Sequence, residues 1–420
     1  MNSEAATARI VMERCDILGG ISEEVGCLTR PFATKAMQRV NDTVAAWMQE
    51  AGMRVTRDAI GNLIGRYEGR SAAAKTLVLG SHLDSVRDAG RYDGPLGVMV
   101  ALACVQRLHA RGERLPFAIE VVGFADEEGM RFSRSYLGSR AITGTFDSTW
   151  LEVRDEHDIS MAEAIRAFSG SAEPQELAEA LRTPRWLREE LLGYTEVHIE
   201  QGPVLEEMGL PVGVVTAITG QTRLRIGFTG MAGHAGTVPM SMRRDAFSAA
   251  AEFVLAVEGI ARSMPGLVAT VGQVNVKPGV SNVIAGQVTL SLDVRHQDDT
   301  IREQALLEME ARGRDIGLAR YVTFVWQPLE AHDAVPCSTY LTQLFVRAIE
   351  EVEYPVQRLP SGAGHDAAIM STLTGMAMLF VRCKGGISHN PTESVTSEDT
   401  GIAIDVLERF IKLLAQEARE

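Results

Sequence analysis

Apolar residues recur along the chain in two rhythms. Over 35–52, Ala36, Met37, Val40, Val44, Ala45 and Met48 return at helical spacing, and Gly52 stands where a helix C-cap belongs. The first 55 residues read as helices. The period then shortens. Residues 76–80 (TLVLG) form the short apolar run of a buried strand, 97–109 returns to helical spacing, and 117–124 (FAIEVVGF) is a second strand. A crossover helix over 98–108 between two strands is a βαβ unit, which predicts a mainly parallel sheet. Residues 193–199 and 376–381 add strands to that sheet.

Between about 217 and 328 the rhythm differs. The pattern predicts strand 222–229, helix 243–263, strand 268–276, strand 287–295, helix 301–312 and strand 321–326, a βαββαβ unit complete in itself. In 287–295 (QVTLSLDVR) polar and apolar residues alternate, as in a sheet with one open face. The expected fold is therefore α/β, with a mainly parallel sheet in a domain built from 1–216 and 329–420. A smaller α+β domain over 217–328 is inserted into it.

Composition narrows the function classes. The 420 residues carry 41 Lys+Arg against 55 Asp+Glu, a net charge of −14. That balance argues against nucleic acid and anionic membranes as partners. The five cysteines are scattered, with no CxxC pair, which disfavours a disulfide framework or a thiolate zinc site. The N-terminus lacks an apolar signal core, and the longest apolar stretch, around 98–105, is too short to span a bilayer. A soluble cytoplasmic protein is expected.

Candidate chemistry collects where the strands end. The first strand leads into Ser81-His82-Leu83-Asp84, and the second into Asp126-Glu127-Glu128. A later one holds Glu196-Val197-His198, and the loop after the last holds Ser388-His389-Asn390. Open α/β sheets bind ligands beyond the carboxyl ends of their strands. His82 and Asp84 fall on one side of extended backbone, so Asp84 can take the second N–H of a metal-bound His82. Asp93, in a Gly-rich loop, is placed to bridge two cations. Glu127 and Glu128 supply one ligand and one free carboxylate, which a metal hydrolase needs to take the proton of its water. Singly, each has a plainer reading: a capped strand end, a solvated acidic pair, a satisfied core histidine, a turn residue. Their joint placement favours a metal hydrolase. GxSxG, Walker A and HExxH sequences are absent, and no strand is followed by GxGxxG.

At this point the chain resembles the family of N-carbamoyl-L-amino-acid hydrolases and allantoate amidohydrolases, within the superfamily of two-metal aminoacylases, carboxypeptidases and aminopeptidases. The matching strings are GSHLDSV (80–86), YDGPLGV (92–98), DEEGMRF (126–132), LGSRAITG (137–144) and EVHIEQGPVLE (196–206). GHAGTVPM (233–240), SNVIAG (281–286), DVRH (293–296), SGAGHDA (361–367) and GISHNPTE (386–393) continue them in order over nearly the whole chain.

The resemblance implies two divalent ions: zinc, manganese, cobalt or nickel. His82 and His198 would bind one, Glu128 and His389 the other, and Asp93 would bridge them. Glu127 would be the general base, and Asp84 would orient His82. A histidine at 198, where related exopeptidases have a carboxylate, implies the carbamoyl-cleaving branch. The inserted domain would be the family's lid and homodimer contact. It would supply His234 for the oxyanion, and Asn282 and Arg295 for a substrate carboxylate. Gln201 falls at the ureido group or beside the ligands, and His365 with Asp366 at the substrate or in a supporting turn. The implied reaction is hydrolysis of the ureido C–N bond of allantoate or an N-carbamoyl-L-amino acid. N-carbamoyl-β-alanine, or a peptide or acylamino acid on the same scaffold, is the alternative. Arg382 or Lys384 is expected to bias the pocket, and Cys104 to lie in the core.

Overall fold

The computed structural model describes residues 3–170 and 174–418. The outermost residues of the expected first and last segments, 1–2 and 419–420, lie outside the described residues. Two compact units emerge: Met1–Thr216 with Cys337–Glu420, and Ala217–Pro336. The inserted unit ends eight residues beyond the expected 328. Pro328 reads as a strand breaker. The strand Thr323–His332 nevertheless continues past it, with a register shift between Pro328 and Glu330, and pairs on as far as Gln221.

In the first unit the sheet runs Arg54–Arg57, Leu63–Tyr67, Ala118–Phe124, Thr76–His82, Leu191–Ile199, Met376–Val381, Val212–Ile218. The four strands from Ala118–Phe124 to Met376–Val381 are mutually parallel, and the outer pairings are antiparallel. The central strands are buried along nearly their whole length. Burial on both faces explains their continuous apolar sequences.

Helices Ser3–Gly19, Pro95–Ala110, Thr339–Glu351 and Ser397–Glu417 share one hydrophobic cluster with Leu77, Leu79, Val121, Val197 and Leu379. Cys104 is buried in it, as expected. Gly97 lets the second of these helices lie directly on the sheet, because a Cβ there would stand 2.0 Å from the carbonyl oxygen of Val197. That close approach carries the turn before the helix, with Asp93, to the carboxyl end of the strands.

The second unit is an antiparallel sheet ordered Val274–Lys277, Gln287–His296, Gly220–Thr229, Thr323–His332. The expected strand over 268–276 is two short ones, Val268–Thr270 and Val274–Lys277, and both pair with Gln287–His296. Helices Ala246–Ser263 and Asp299–Ala319 cover the face that carries Leu224, Ile226, Phe228, Val288, Leu290 and Leu292. The alternation of Gln287–His296 is realised residue by residue. No described helix is long and apolar enough to cross a membrane.

Candidate metal centre

The carboxyl ends of the parallel strands gather His82, Asp93, Glu127, Glu128, His198 and His389. Within His82–Asp93–His198, within Asp93–Glu128–His389 and within His82–Glu127–Glu128, candidate ligand atoms lie inside 4.8 Å of one another. Asp93 belongs to the first two sets. It immediately precedes Gly94, the N-cap of Pro95–Ala110, so its charge also faces a helix N-terminus.

The hydrogen bonds fix how the candidate ligands point. Nδ1 of His198 lies 2.9 Å from the Ile199 carbonyl oxygen, and Nδ1 of His82 lies 3.2 Å from that of Asp84. A carbonyl only accepts, so both Nδ1 atoms carry a proton, and both Nε2 atoms point away from those carbonyls. Those Nε2 atoms face Asp93 Oδ1 at 3.1 Å from His198 and 3.7 Å from His82. Asp93 Oδ1 is buried and has no hydrogen-bond donor. Two imidazole nitrogens converging on one buried carboxylate oxygen make a donor set that suits a cation between them. Among the described residues, no Lys or Arg pairs with Asp93, Glu127 or Glu128. The donor set of imidazole and carboxylate suits zinc, manganese, cobalt or nickel alike.

Asp84 has a wider part than the sequence suggested. Its Oδ1 lies 3.4 Å from His82 Nδ1 and also accepts the Glu127 N–H at 3.0 Å, while Oδ2 accepts the Glu128 N–H at 3.2 Å. One carboxylate thus ties the loop after the first parallel strand to the loop after the second. Fully buried Arg30 supports it from behind, donating to the carbonyls of Leu83, Leu18 and Ile21. Spacing gave no sign of Arg30, because its partners are backbone oxygens of other segments.

Charge at the site follows from crowding. Burial and the neighbouring Glu128 push the Glu127 carboxyl well above its ordinary value. Burial opposes protonation of His82, but Asp84 and Asp93 more than offset it and hold the imidazole well above its usual range. Burial would raise Asp93, yet His198, His389 and His82 hold it well below the carboxylate range. Asp93 and Glu128 raise His389 to about 10. His365 is driven the other way, first by burial and then by the charge of His198.

Gln201 and His365 contact the cluster itself. The Gln201 amide donates to Asp93 Oδ2 at 3.0 Å and to Ser388 Oγ at 3.1 Å. His389 Nε2 lies 3.1 Å from the same Oδ2. Gln201 and His389 both hold left-handed backbone, at φ 56° and 54°. Such conformations cost of order 1–3 kcal/mol and collect at functional sites. The His365 ring packs on His198 at 4.5 Å between centroids, with Nε2 2.7 Å from the Ser361 hydroxyl. Asp366 accepts from the Ser139 hydroxyl.

Glu196, not singled out from sequence as a site residue, is fully buried on the same strand as His198. It accepts from the Tyr194 hydroxyl at 2.8 Å, the Ser81 hydroxyl at 3.2 Å and the Ala367 amide at 3.2 Å. The EVHIEQG string held that signal, since 196 and 198 share one side of a strand. Arg382 grips buried Asp399 at 2.7 and 3.0 Å.

In the second unit, His234 sits on a two-residue strand, Gly233–His234, paired with Val283–Ile284. Asn282 adjoins it, its carbonyl accepting the Ala235 N–H at 3.0 Å. Both side chains are exposed. Arg295 lies half-buried on Gln287–His296, with Nε and Nη2 2.9 and 3.0 Å from the two carboxylate oxygens of Asp293.

The family profile described as Peptidase family M20/M25/M40 matches residues 78–413. The chain belongs to that family. Within M20/M25/M40 it is 42% identical over 391 residues to the N-carbamoyl-L-amino acid amidohydrolase of Geobacillus stearothermophilus, covering 93% of this chain and 94% of that one. It is 39% identical over 415 residues to allantoate deiminase 1 of Glycine max, covering 92% and 85% respectively. Its fold is similar to a solved amidase of the hydantoinase/carbamoylase family from Burkholderia multivorans, with a TM-score of 0.89 at 32% identity over 96% of this chain and 97% of that one. This M20/M25/M40 member is accordingly a metal-dependent amidohydrolase, an enzyme acting on C–N bonds.

Proposed function

We propose that the chain hydrolyses the ureido C–N bond of a small carboxylate, allantoate or an N-carbamoyl-L-amino acid, at a centre of two divalent ions. The observation that carries this is the shared Asp93: one oxygen faces His82 and His198, the other faces His389, and Glu128 completes the second set. His82 and His198 would hold one ion, Glu128 and His389 the other, and Asp93 both. When bound, such ions acidify water and polarise a carbonyl.

The chain's own groups supply the remaining chemistry. Glu127, placed with Glu128 and His82 at the cluster, takes the proton of the attacking water. The hydroxide adds to the ureido carbon. Glu127 then returns the proton to the leaving nitrogen, and the carbamic acid product falls to ammonia and carbon dioxide. Asp84 keeps His82 and the 127–128 backbone in place throughout. Gln201 anchors Asp93. In this reading the Arg295 fork exchanges Asp293 for the substrate carboxylate, Asn282 adds a donor, and His234 a donor for the oxyanion. A homodimer formed through the inserted unit belongs to the same reading.

The test is ammonia release by metal-reconstituted protein, given allantoate, N-carbamoyl-L-amino acids and N-carbamoyl-β-alanine. Turnover of one of the first two, lost in Glu127→Gln, supports the assignment. No ammonia from any ureido compound by protein with metal bound sinks it, and dipeptides and acylamino acids become the next substrates to try.

A further inference from the structure

Asp93 is gripped from outside the ligand cluster by a second carboxylate 300 residues further along the chain. Glu393 is 4% exposed, and its Oε1 accepts the N–H of Tyr92 at 2.8 Å and of Asp93 at 3.1 Å. The Ser388 hydroxyl lies 3.1 Å from Glu393 Oε2 and 2.9 Å from Asp93 Oδ2, so its single proton serves both carboxylates. Gly90 completes the fit. A Cβ there would stand 2.2 Å from Cδ and 2.4 Å from Cβ of Glu393, so only glycine lets the loop close over this side chain.

We propose that Glu393 is the positioning residue for the carboxylate shared by the two ions, an inference that rests on the two-metal reading above. The loop 90–94 and the loop 386–393 leave the ends of different strands. Glu393 clamps the backbone of the first and, through Ser388, the free oxygen of its aspartate. Asp93 is thereby held with Oδ1 toward His82 and His198 and Oδ2 toward His389. Without Glu393, two amides lose their acceptor and the Asp93 carboxylate loses one of the anchors that set its tilt. Outer partners of metal ligands matter at this level: their loss typically weakens metal binding about 10–100-fold.

The experiment measures zinc binding to the full chain, stripped of metal and titrated against a chromophoric chelator. The wild type takes up two ions per chain. Glu393→Ala binds at least one of them about 10–100-fold more weakly, and Glu393→Gln, which keeps an acceptor for both amides, recovers part of the loss. Gly90→Ala, which removes no polar group but displaces the clamp, shows the same weakening. The Gly90→Ala/Glu393→Ala pair is no worse than either alone, as residues acting through one contact require. A merely structural role would lower the melting temperature of the metal-free protein and leave zinc affinity of the folded protein unchanged. Unchanged affinity in folded Glu393→Ala and Gly90→Ala, beside a two-ion wild type, overturns the clamp and leaves the two-metal reading standing. A wild type that binds no zinc overturns both. Should Glu393→Ala fail to fold, Gly90→Ala and Ser388→Ala carry the same comparison.

Discussion

The two units present their titratable groups in opposite ways. In the first, His82, Asp84, Asp93 and His198 are buried at the ends of parallel strands, each held by at least two contacts from other segments. In the second, His234 and Asn282 are exposed and Arg295 is half-buried on an open sheet face. The difference separates two tasks. Ligands must keep a fixed geometry against mutual repulsion, so each is over-determined by its surroundings. On the proposed reading the second unit's groups meet a mobile substrate, and His234 and Asn282 are left in water.

That contrast can be broken at several points. Chelation should abolish ammonia release altogether, with recovery on adding back zinc, manganese, cobalt or nickel; activity that survives complete stripping would remove the metal from the account. Glu127→Gln should lower kcat by about 10²–10⁴-fold while metal content, read by elemental analysis, stays at the wild-type level. Asp84→Asn should weaken metal binding about 10–100-fold, because one amide oxygen cannot serve His82 and two backbone N–H groups together.

In the second unit the effect should move from kcat to KM. Arg295→Gln removes charged hydrogen bonds of about 1.5–3 kcal/mol, and so should raise KM roughly 10–100-fold with kcat little changed. A fall in kcat at constant KM would erase the distinction between the units. The smallest effect concerns pH. Burial would raise the Asp293 carboxyl, but Arg295, Gln221 and Arg223 hold it below its ordinary value. A depressed folded-state pKa adds stability that is present above the unfolded value near 3.9 and fades as pH falls through the folded one. Asp293→Asn should therefore lower the melting temperature at pH 6 and leave it nearly unchanged near pH 2. An equal loss at both would show that packing, not charge, is what Asp293 contributes.

The central parallel strands, their crossover helix and the inserted βαββαβ unit were legible because burial enforces periodicity. The strands Arg54–Arg57 and Leu63–Tyr67 were not, since RVTR and LIGRY mix charged and apolar residues without a continuous apolar run. The chain's return from the inserted unit was misplaced because pairing with Gly220–Thr229 overrides the breaker at Pro328. At the site, motif reading pointed to His82, Asp93, Glu127, Glu128, His198 and His389, and the fold brings them together. That reading missed Arg30, Glu196, Ser388 and Glu393, whose partners are backbone groups or side chains on other segments. Of the two places it gave Gln201, at the ureido group or beside the ligands, the fold turns the amide onto Asp93.

By itself the sequence determined the alternation of layers, the inventory of imidazoles and carboxylates, and their placement after strand ends. These are local properties, set by residue type and period. Only the tertiary structure decided that Asp93 faces His82, His198 and His389 together and that Nδ1 of His82 and of His198 faces a carbonyl. It also decided that Arg382 is spent on Asp399 and that Glu393 reaches Asp93 across the chain. Those outcomes depend on which loops the sheet order sets side by side, and sheet order is a long-range consequence of packing that no window of sequence contains.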